Sequence, residues 1–349
     1  MNNIIHGDSL VEMANLEEED FHAVVTDPPY NYKDGFMQKE WDDIGSASQY
    51  QEWCEEWASE ALRVLKPGGH IISFCSERMH HRLMVAFENA GFEIRHTIPW
   101  IYGSGMPKSS KIDRWLDDEY KENYGDWRGL LKPAIEFAIL ARKPVEESAS
   151  KNQMKHGTGN LNIEACRIEG EKPKRNISKC GNADSLNYGE DSFQKTSGMA
   201  DGTSKEGRYP ANLILDSVMA DVIDKMSPSS DIDGEELGAS RFFYCTKASK
   251  SERTHNGQVD NEHNTVKPLD LMRWLVRLVT AEEQKIIDPF AGSGTTLIAA
   301  EKENRRWVGI EREEEYISII KSRLNNIDTK EVIEGSEKHE DKTESVFDY

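Results

Sequence analysis

Two short turns in this sequence combine residue types that could hold a planar amine and a nucleoside. The first is Asp27-Pro28-Pro29-Tyr30, delivered by the apolar run Ala23 to Thr26. Consecutive prolines fix φ and donate no backbone hydrogen, so the Asp27 carboxylate and the Pro28 carbonyl stand as rigid acceptors beside an aromatic ring. Two acceptors and a stacking ring match an exocyclic amine on a planar base. The carboxyl end of a strand is also where α/β proteins bind their ligands. Asp-Pro alone is common at plain turns. A second motif in the same chain gives this one its weight.

That second motif is Asp288-Pro289-Phe290-Ala291-Gly292-Ser293-Gly294, which reads as a strand end followed by a glycine turn. Gly292 and Gly294 let backbone approach a ligand closely, and Glu311 closes the next strand seventeen residues after Gly294. A carboxylate there can accept both hydroxyls of a ribose. A dinucleotide fingerprint wants a third glycine where Leu297 stands, and a phosphate loop wants lysine where Thr295 stands. Both pyrophosphate readings weaken, and a nucleoside cofactor remains.

The elements that must position these turns follow an α/β rhythm. Strand-like runs at Asn3 to His6, Phe21 to Thr26, His70 to Cys75, Phe92 to Tyr102 and Ile135 to Ala141 alternate with helical patterns over 48–65 and 77–90. Gly68-Gly69, after Lys66-Pro67, is expected to stop the first long helix before the next strand. The rhythm is lost over 146–262, where Ser, Lys, Asn, Gly and Asp dominate, and this stretch reads as a loop-rich insertion. It returns with a helix from Pro268 to Thr280, whose Leu269, Met272, Val276 and Val279 share one face. Strand 285–288, helix 294–303, strand 307–310 and helix 313–325 follow, then a polar acidic tail over 326–349 that is expected to fray. The resulting fold class is α/β, a mostly parallel sheet with helices on both faces.

Taken together, these motifs resemble the amino-group DNA methyltransferases that use S-adenosylmethionine, of the N6-adenine or N4-cytosine type. Asp27-Pro28-Pro29-Tyr30 is similar to that family's catalytic motif, and Asp288 to Gly294 to its methionine-binding motif. Further matches are Gly7-Asp8, Leu65-Lys66-Pro67-Gly68-Gly69, Thr265-Val266-Lys267-Pro268 and Glu311. The catalytic motif precedes the cofactor motif, which resembles the β arrangement, a circular permutation of the Rossmann-like sheet. The resemblance covers 1–145 and 262–325, and only thinly the stretch between.

The resemblance implies S-adenosylmethionine as cofactor, with Asp8 near its adenine, Glu311 on its ribose, Asp288, Phe290, Gly292 and Gly294 around its methionine part, and Lys267 beside the pocket. It implies double-stranded DNA as partner, with the target base flipped out and stacked on Tyr30. The domains expected are a catalytic half over 1–145, an inserted target-recognition region over 146–262, a cofactor-binding half over 263–325, and the acidic tail. Asp rather than Ser at position 27 favours adenine N6. Cytosine N4, RNA or a protein side-chain amide fits the same two acceptors. From another class, a DNA-binding protein with a vestigial pocket would carry the same residues.

Charge distribution bears on the partner more than the net charge of −20 does. Residues 1–60 hold fifteen acids against Lys33 and Lys39, whereas 151–210 hold ten Lys or Arg against eight acids. Lys108 and Lys111, in a hydroxyl-rich loop, and Lys172, Lys174 and Arg175 are therefore candidate phosphate contacts. An acidic whole predicts weak non-specific affinity, which counts against a general DNA packager but not against binding through a local groove. Eight Trp with eleven each of Phe and Tyr exclude a disordered chain. No apolar stretch reads as a secretion signal or membrane span, which leads to a cytoplasmic expectation. Five scattered cysteines without a CxxC pair indicate reduced thiols, and His80-His81 lacks a third ligand at metal-binding spacing, so no metal is expected.

Overall fold

The computed structural model describes residues 2–32, 40–103, 109–168, 208–226 and 266–326, with short pieces between 228 and 246. Eleven strands occur among them: β1 (Asn3–His6), β2 (Phe21–Thr26), β3 (Leu65–Cys75), β4 (Glu93–Ile101), β5 (Ile135–Arg142), β6 (Ile214–Asp216), β7 (Pro228–Ser230), β8 (Glu236–Gly238), β9 (Tyr244–Thr246), β10 (Lys285–Asp288) and β11 (Arg306–Glu311). The α-helices are α1 (Ser9–Ala14), α2 (Ala47–Val64), α3 (His80–Ala90), α4 (Asp118–Tyr124), α5 (Ala149–His156), α6 (Ser217–Met226), α7 (Leu269–Val279), α8 (Thr295–Lys302) and α9 (Glu314–Asn325).

Nine strands form one sheet in the order β1-β11-β10-β2-β3-β5-β4-β6-β9, in which only β5 pairs antiparallel with its neighbours. The mostly parallel Rossmann-like sheet expected from the sequence is therefore the sheet observed. The early and late parts of the chain meet where β10, third in this order, pairs with β2, the fourth, through Ile286↔Ala23 and Ile287↔Val24. Alternation along β2 divides the core. Ala23 and Val25 pack with Leu271, Trp274 and Leu297 on one face. Val24 packs with Trp57, Leu83 and Phe87 of α2 and α3 on the other. A strand covered on both faces reads as a continuous apolar run, as FHAVVT does.

Two expectations about elements need correction. Lys66 to Gly69 does not separate helix from strand: α2 runs directly into β3, and these residues bulge out of it, shifting the register from Phe21↔Leu65 to Ala23↔His70. Gly68 takes φ +75° there, and a Cβ would lie 2.4 Å from the Asn152 amide, which donates to the Pro67 carbonyl. Helix α7 is amphipathic as expected: Met272, Val276 and Val279 are buried on one broad face with Leu271, Trp274, Leu275 and Leu278, opposite a stripe of Asp270, Arg273 and Arg277. Its Arg273 and Arg277 reach out to Glu303. The α/β rhythm does not stop at residue 146 either, because β6 and β9 extend the main sheet beyond β4. Strands of three residues are too short to show periodicity. The tail expected to fray lies, from residue 327 onward, outside the described residues. No described helix is long and apolar enough to cross a membrane.

Candidate active site

Parallel pairing aligns the carboxyl ends of β1, β11, β10, β2 and β3 along one edge, and every chemistry-bearing turn leaves from it. Thr26, the last residue of β2, donates its hydroxyl to Asp288 Oδ1 at 2.7 Å, and the Phe290 amide donates to the same oxygen at 3.1 Å. The catalytic-type turn and the glycine turn are thus linked by one hydrogen bond across adjacent strands. Burial pushes the Asp288 carboxyl up to about 6, against the hydrogen bonds from Thr26 and Thr296.

The Asp-Pro-Pro-Tyr turn is clamped from below by Asp42, a residue that is 1% exposed. Its Oδ1 accepts from the amides of Tyr30 at 2.5 Å and Asn31 at 2.9 Å, and its Oδ2 from that of Tyr32 at 3.3 Å. Asn31 occupies the left-handed region at φ 57°, and its side chain is held there by accepting from Ile44 N and donating to Gly45 O. Tyr50 donates its hydroxyl to the Pro29 carbonyl at 3.2 Å.

Above the turn sits a cluster of four polar side chains. Lys267, 7% exposed, donates to Asp27 Oδ2 at 2.6 Å and to the Tyr30 hydroxyl at 3.1 Å, and pairs with Glu136 Oε1 at 3.1 Å. The Tyr30 hydroxyl lies 2.7 Å from Asp27 Oδ1 and also bonds Glu136 Oε1. Lys267 Nζ stands 4.8 Å from the centre of the Phe74 ring. Burial alone would lower the Lys267 ammonium, but Asp27 and Glu136 outweigh it and the net shift is upward. Burial, reinforced by the same two carboxyls, drives the Tyr30 phenol well above the usual range.

The glycine turn holds a second acidic group. Glu311 accepts from Gly292 N at 2.7 Å through Oε2 and from Glu313 N at 2.8 Å through Oε1. Burial pushes it up to about 7, against those backbone bonds. Gly292 and Gly294 take φ of 51° and 82°, conformations in which a side chain is strained. Asp8 caps α1 by accepting from Leu10 N at 3.0 Å, and the preceding Gly7 amide bonds the Glu311 carbonyl at 3.0 Å, so Asp8 and Glu311 are neighbours along the edge.

Asp27, Pro28, Pro29, Tyr30, Asp288, Phe290, Gly292, Gly294, Glu311, Asp8 and Lys267 therefore lie on one edge. Lys267 reaches the Asp27 turn itself, and Phe290 turns its ring onto Trp53 and Trp57, with centroids 5.5 Å apart in each pair. Lys111 is ion-paired with Asp126 on the segment between β4 and β5. Lys108, Lys172, Lys174 and Arg175 fall outside the described residues. Sequence reasoning passed over Glu136 and Asp42. The signal for Glu136 was a lone acid in the apolar run IEFAILAR. Asp42 carried none, being one acid among fifteen in its region.

An acceptor-rich turn and a glycine turn thus stand side by side on the carboxyl edge of a mostly parallel sheet. The chain belongs to the DNA methylase family of N6 and N4 amino-methyltransferases, whose model matches residues 21–322. It is 26% identical to the Type II methyltransferase M.HindIII of Haemophilus influenzae, over 92% of this chain and 94% of that one. It is 22% identical to the Type II methyltransferase M.HpaI of Haemophilus parainfluenzae, over 93% and 74%. Among solved structures, the cytosine-N4-specific PvuII DNA methyltransferase shares the fold with a TM-score of 0.53 at 18% identity, covering 95% of this chain and 90% of that one. The activity of the family is S-adenosylmethionine-dependent methylation of an exocyclic amine in DNA.

Proposed function

We propose that this enzyme methylates adenine N6 in double-stranded DNA, with Asp27 and the Pro28 carbonyl as acceptors for the target amine. The observation that supports the reading is the Thr26–Asp288 hydrogen bond, which joins the Asp-Pro-Pro-Tyr turn to the glycine turn on neighbouring strands. The residues present suit S-adenosylmethionine. Glu311 keeps lone pairs for a ribose diol after accepting two backbone bonds, and the glycine turn offers backbone without Cβ. Asp8 and Asp288 flank that turn at its adenine and methionine ends. Bound there, the cofactor supplies an electrophilic methyl group.

The chain's own part is to position and to stabilise. A base amine is a poor nucleophile because its lone pair is delocalised into the ring. Hydrogen bonds from its two N–H groups to Asp27 and to the Pro28 carbonyl favour a pyramidal nitrogen. Those bonds strengthen as positive charge grows on nitrogen, so they act on the transition state more than on the ground state. A base inside a duplex cannot reach this edge, so the base is flipped, with Tyr30 as its platform.

Labelled methyl transfer to duplex DNA, RNA and protein, followed by sequencing that detects modified bases, tests the reading. N6-methyladenine in duplex DNA at one sequence context is expected. Label on cytosine N4, or in RNA or protein alone, would overturn it.

A pH dependence follows from Glu311. Ribose hydroxyls donate to the ionised carboxylate, so the proton held below about pH 7 must leave before the cofactor binds. Affinity should be about tenfold weaker at pH 6 than at pH 8 by linkage. In the free protein the sign is opposite. The folded carboxyl, at about 7 against an ordinary 4.5, binds more protons than the unfolded one, so its contribution to stability is present in acid and lost as pH rises through 7. Calorimetric titration with the cofactor across this range checks the first effect, and Glu311→Gln should flatten it. A wild-type affinity independent of pH would remove Glu311 from the ribose.

A further inference from the structure

The four-residue cluster has a hydrogen-bond pattern that the amine-holding role of Asp27 does not explain. An ammonium carries three N–H donors, and Lys267 directs its three at Asp27 Oδ2, the Tyr30 oxygen and Glu136 Oε1. The Tyr30 oxygen also touches Asp27 Oδ1 and Glu136 Oε1, two carboxyl oxygens from distant parts of the chain. A phenol has one hydrogen and can donate to only one of them. Both contacts are full hydrogen bonds, rather than halves of one shared hydrogen, only when a second proton sits on one of the two carboxyls. The arrangement thus fits one proton more than two carboxylates, one ammonium and one phenol carry. Methylation of an amine releases one proton.

We propose that Glu136 is the final acceptor of the proton lost by the target amine, reached from Asp27 through the Tyr30 hydroxyl. This rests on the reading of Asp27 as the amine's acceptor. After the methyl group has moved, an N–H bond of the alkylated amine breaks and its electron pair returns to nitrogen. The proton goes to Asp27, an Asp27 proton passes to the Tyr30 oxygen, and the Tyr30 hydrogen moves to Glu136. Asp27 and Tyr30 end as they began, Glu136 ends as the acid, and no further reactant is needed. Glu136 is a positioning and relay residue, since it touches Tyr30 and Lys267 but not the amine.

Several features support the route. Glu136 arrives at this edge because β5 runs against the other strands, placing its first residues beside the carboxyl end of β3. Its side chain is 16% exposed against 7% for Lys267, so it has access to water for discharging the proton. The upward shift of the Tyr30 phenol keeps Tyr30 a conduit rather than a resting phenolate. The charged and titratable groups facing Glu136 are Asp27, Tyr30 and Tyr32 after β2, Cys75 on β3, Tyr102 after β4, and Lys267 before α7.

The test uses Glu136→Gln, Tyr30→Phe, the double variant and Asp27→Ala in the full chain. Single-turnover methyl transfer is measured on amplified bacterial genomic DNA, which is unmethylated and holds every sequence context. Cofactor affinity is measured alongside by calorimetry. Glu136→Gln and Tyr30→Phe should each slow transfer about 10²-fold, the range of a lost acid–base group, with affinities for DNA and cofactor retained. The double variant should be no slower than either single, because both break one path. The acid limb of the wild-type rate profile should move in Glu136→Gln. Wild-type rates in either single variant, or losses that multiply in the double, overturn the relay. If Glu136→Gln does not fold, Tyr30→Phe, which removes only a hydroxyl, decides alone. Activity surviving in Asp27→Ala would instead overturn the reading of the amine site.

Discussion

Replacing Asp27 with Ala should reduce methyl transfer by about 10³-fold or more while leaving cofactor affinity within roughly threefold of wild type. The separation follows from geometry. Asp27 follows the end of β2, whereas Asp288 and Glu311 end β10 and β11 and Asp8 follows β1, and the hydrogen bond between the two turns joins Thr26 to Asp288. The substitution removes an acceptor from the target amine and also leaves Lys267 with Glu136 as its remaining carboxylate partner. One cation and one carboxylate are still matched in charge, so the loss should appear in rate and not as a collapsed fold. Equilibrium titration with S-adenosylmethionine and single-turnover assays on one preparation separate the two effects. An Asp27→Ala enzyme that turns over normally would refute the amine site outright.

The sheet was largely legible because its central strands are buried on both faces and bounded by turns. β2 and β10 fall where the apolar runs fall, since burial of Val24, Val25, Ile286 and Ile287 leaves no room for another pattern. Legibility failed where tertiary contacts override local signals. Lys66-Pro67-Gly68-Gly69 has the composition of a helix stop, yet the stop is made by β3 starting at once, and the glycines serve a bulge that receives Asn152 from α5. The site divided in the same way. Asp27 and Glu311 sit at ends of strands that the pattern locates, so their positions could be read. Glu136 could not be placed, because its reach to Tyr30 depends on β5 reversing direction within an otherwise parallel sheet. Asp42 acts through backbone amides of residues 30–32, a contact no residue spacing encodes.

Lys267→Met should be the most destabilising single change at this edge, costing about 3–5 kcal/mol near pH 8, the range for removing one partner of a buried charge group. The remaining carboxylates of Asp27 and Glu136 would share Tyr30 with no cation between them. Like charges in a buried site raise each other's pKa, so one carboxyl should take up a proton well above its ordinary range. A carboxyl whose folded pKa is raised stabilises the fold in acid and ceases to do so as pH rises, so the deficit of the variant should shrink toward pH 5 and widen toward pH 8. The wild type shows no matching trend from Lys267, whose own shift is upward and keeps it charged throughout that span. Urea unfolding of both proteins at several pH values reads the difference directly. Lys267→Arg should rescue stability only in part, because a planar fork cannot direct donors at three oxygens grouped around one nitrogen as an ammonium does. A deficit that stays constant with pH would mean that Asp27 and Glu136 do not feel each other. The same measurement therefore bears on the proton path, because two carboxyls that share Lys267 and the Tyr30 hydroxyl must be electrostatically coupled before a proton can be passed between them.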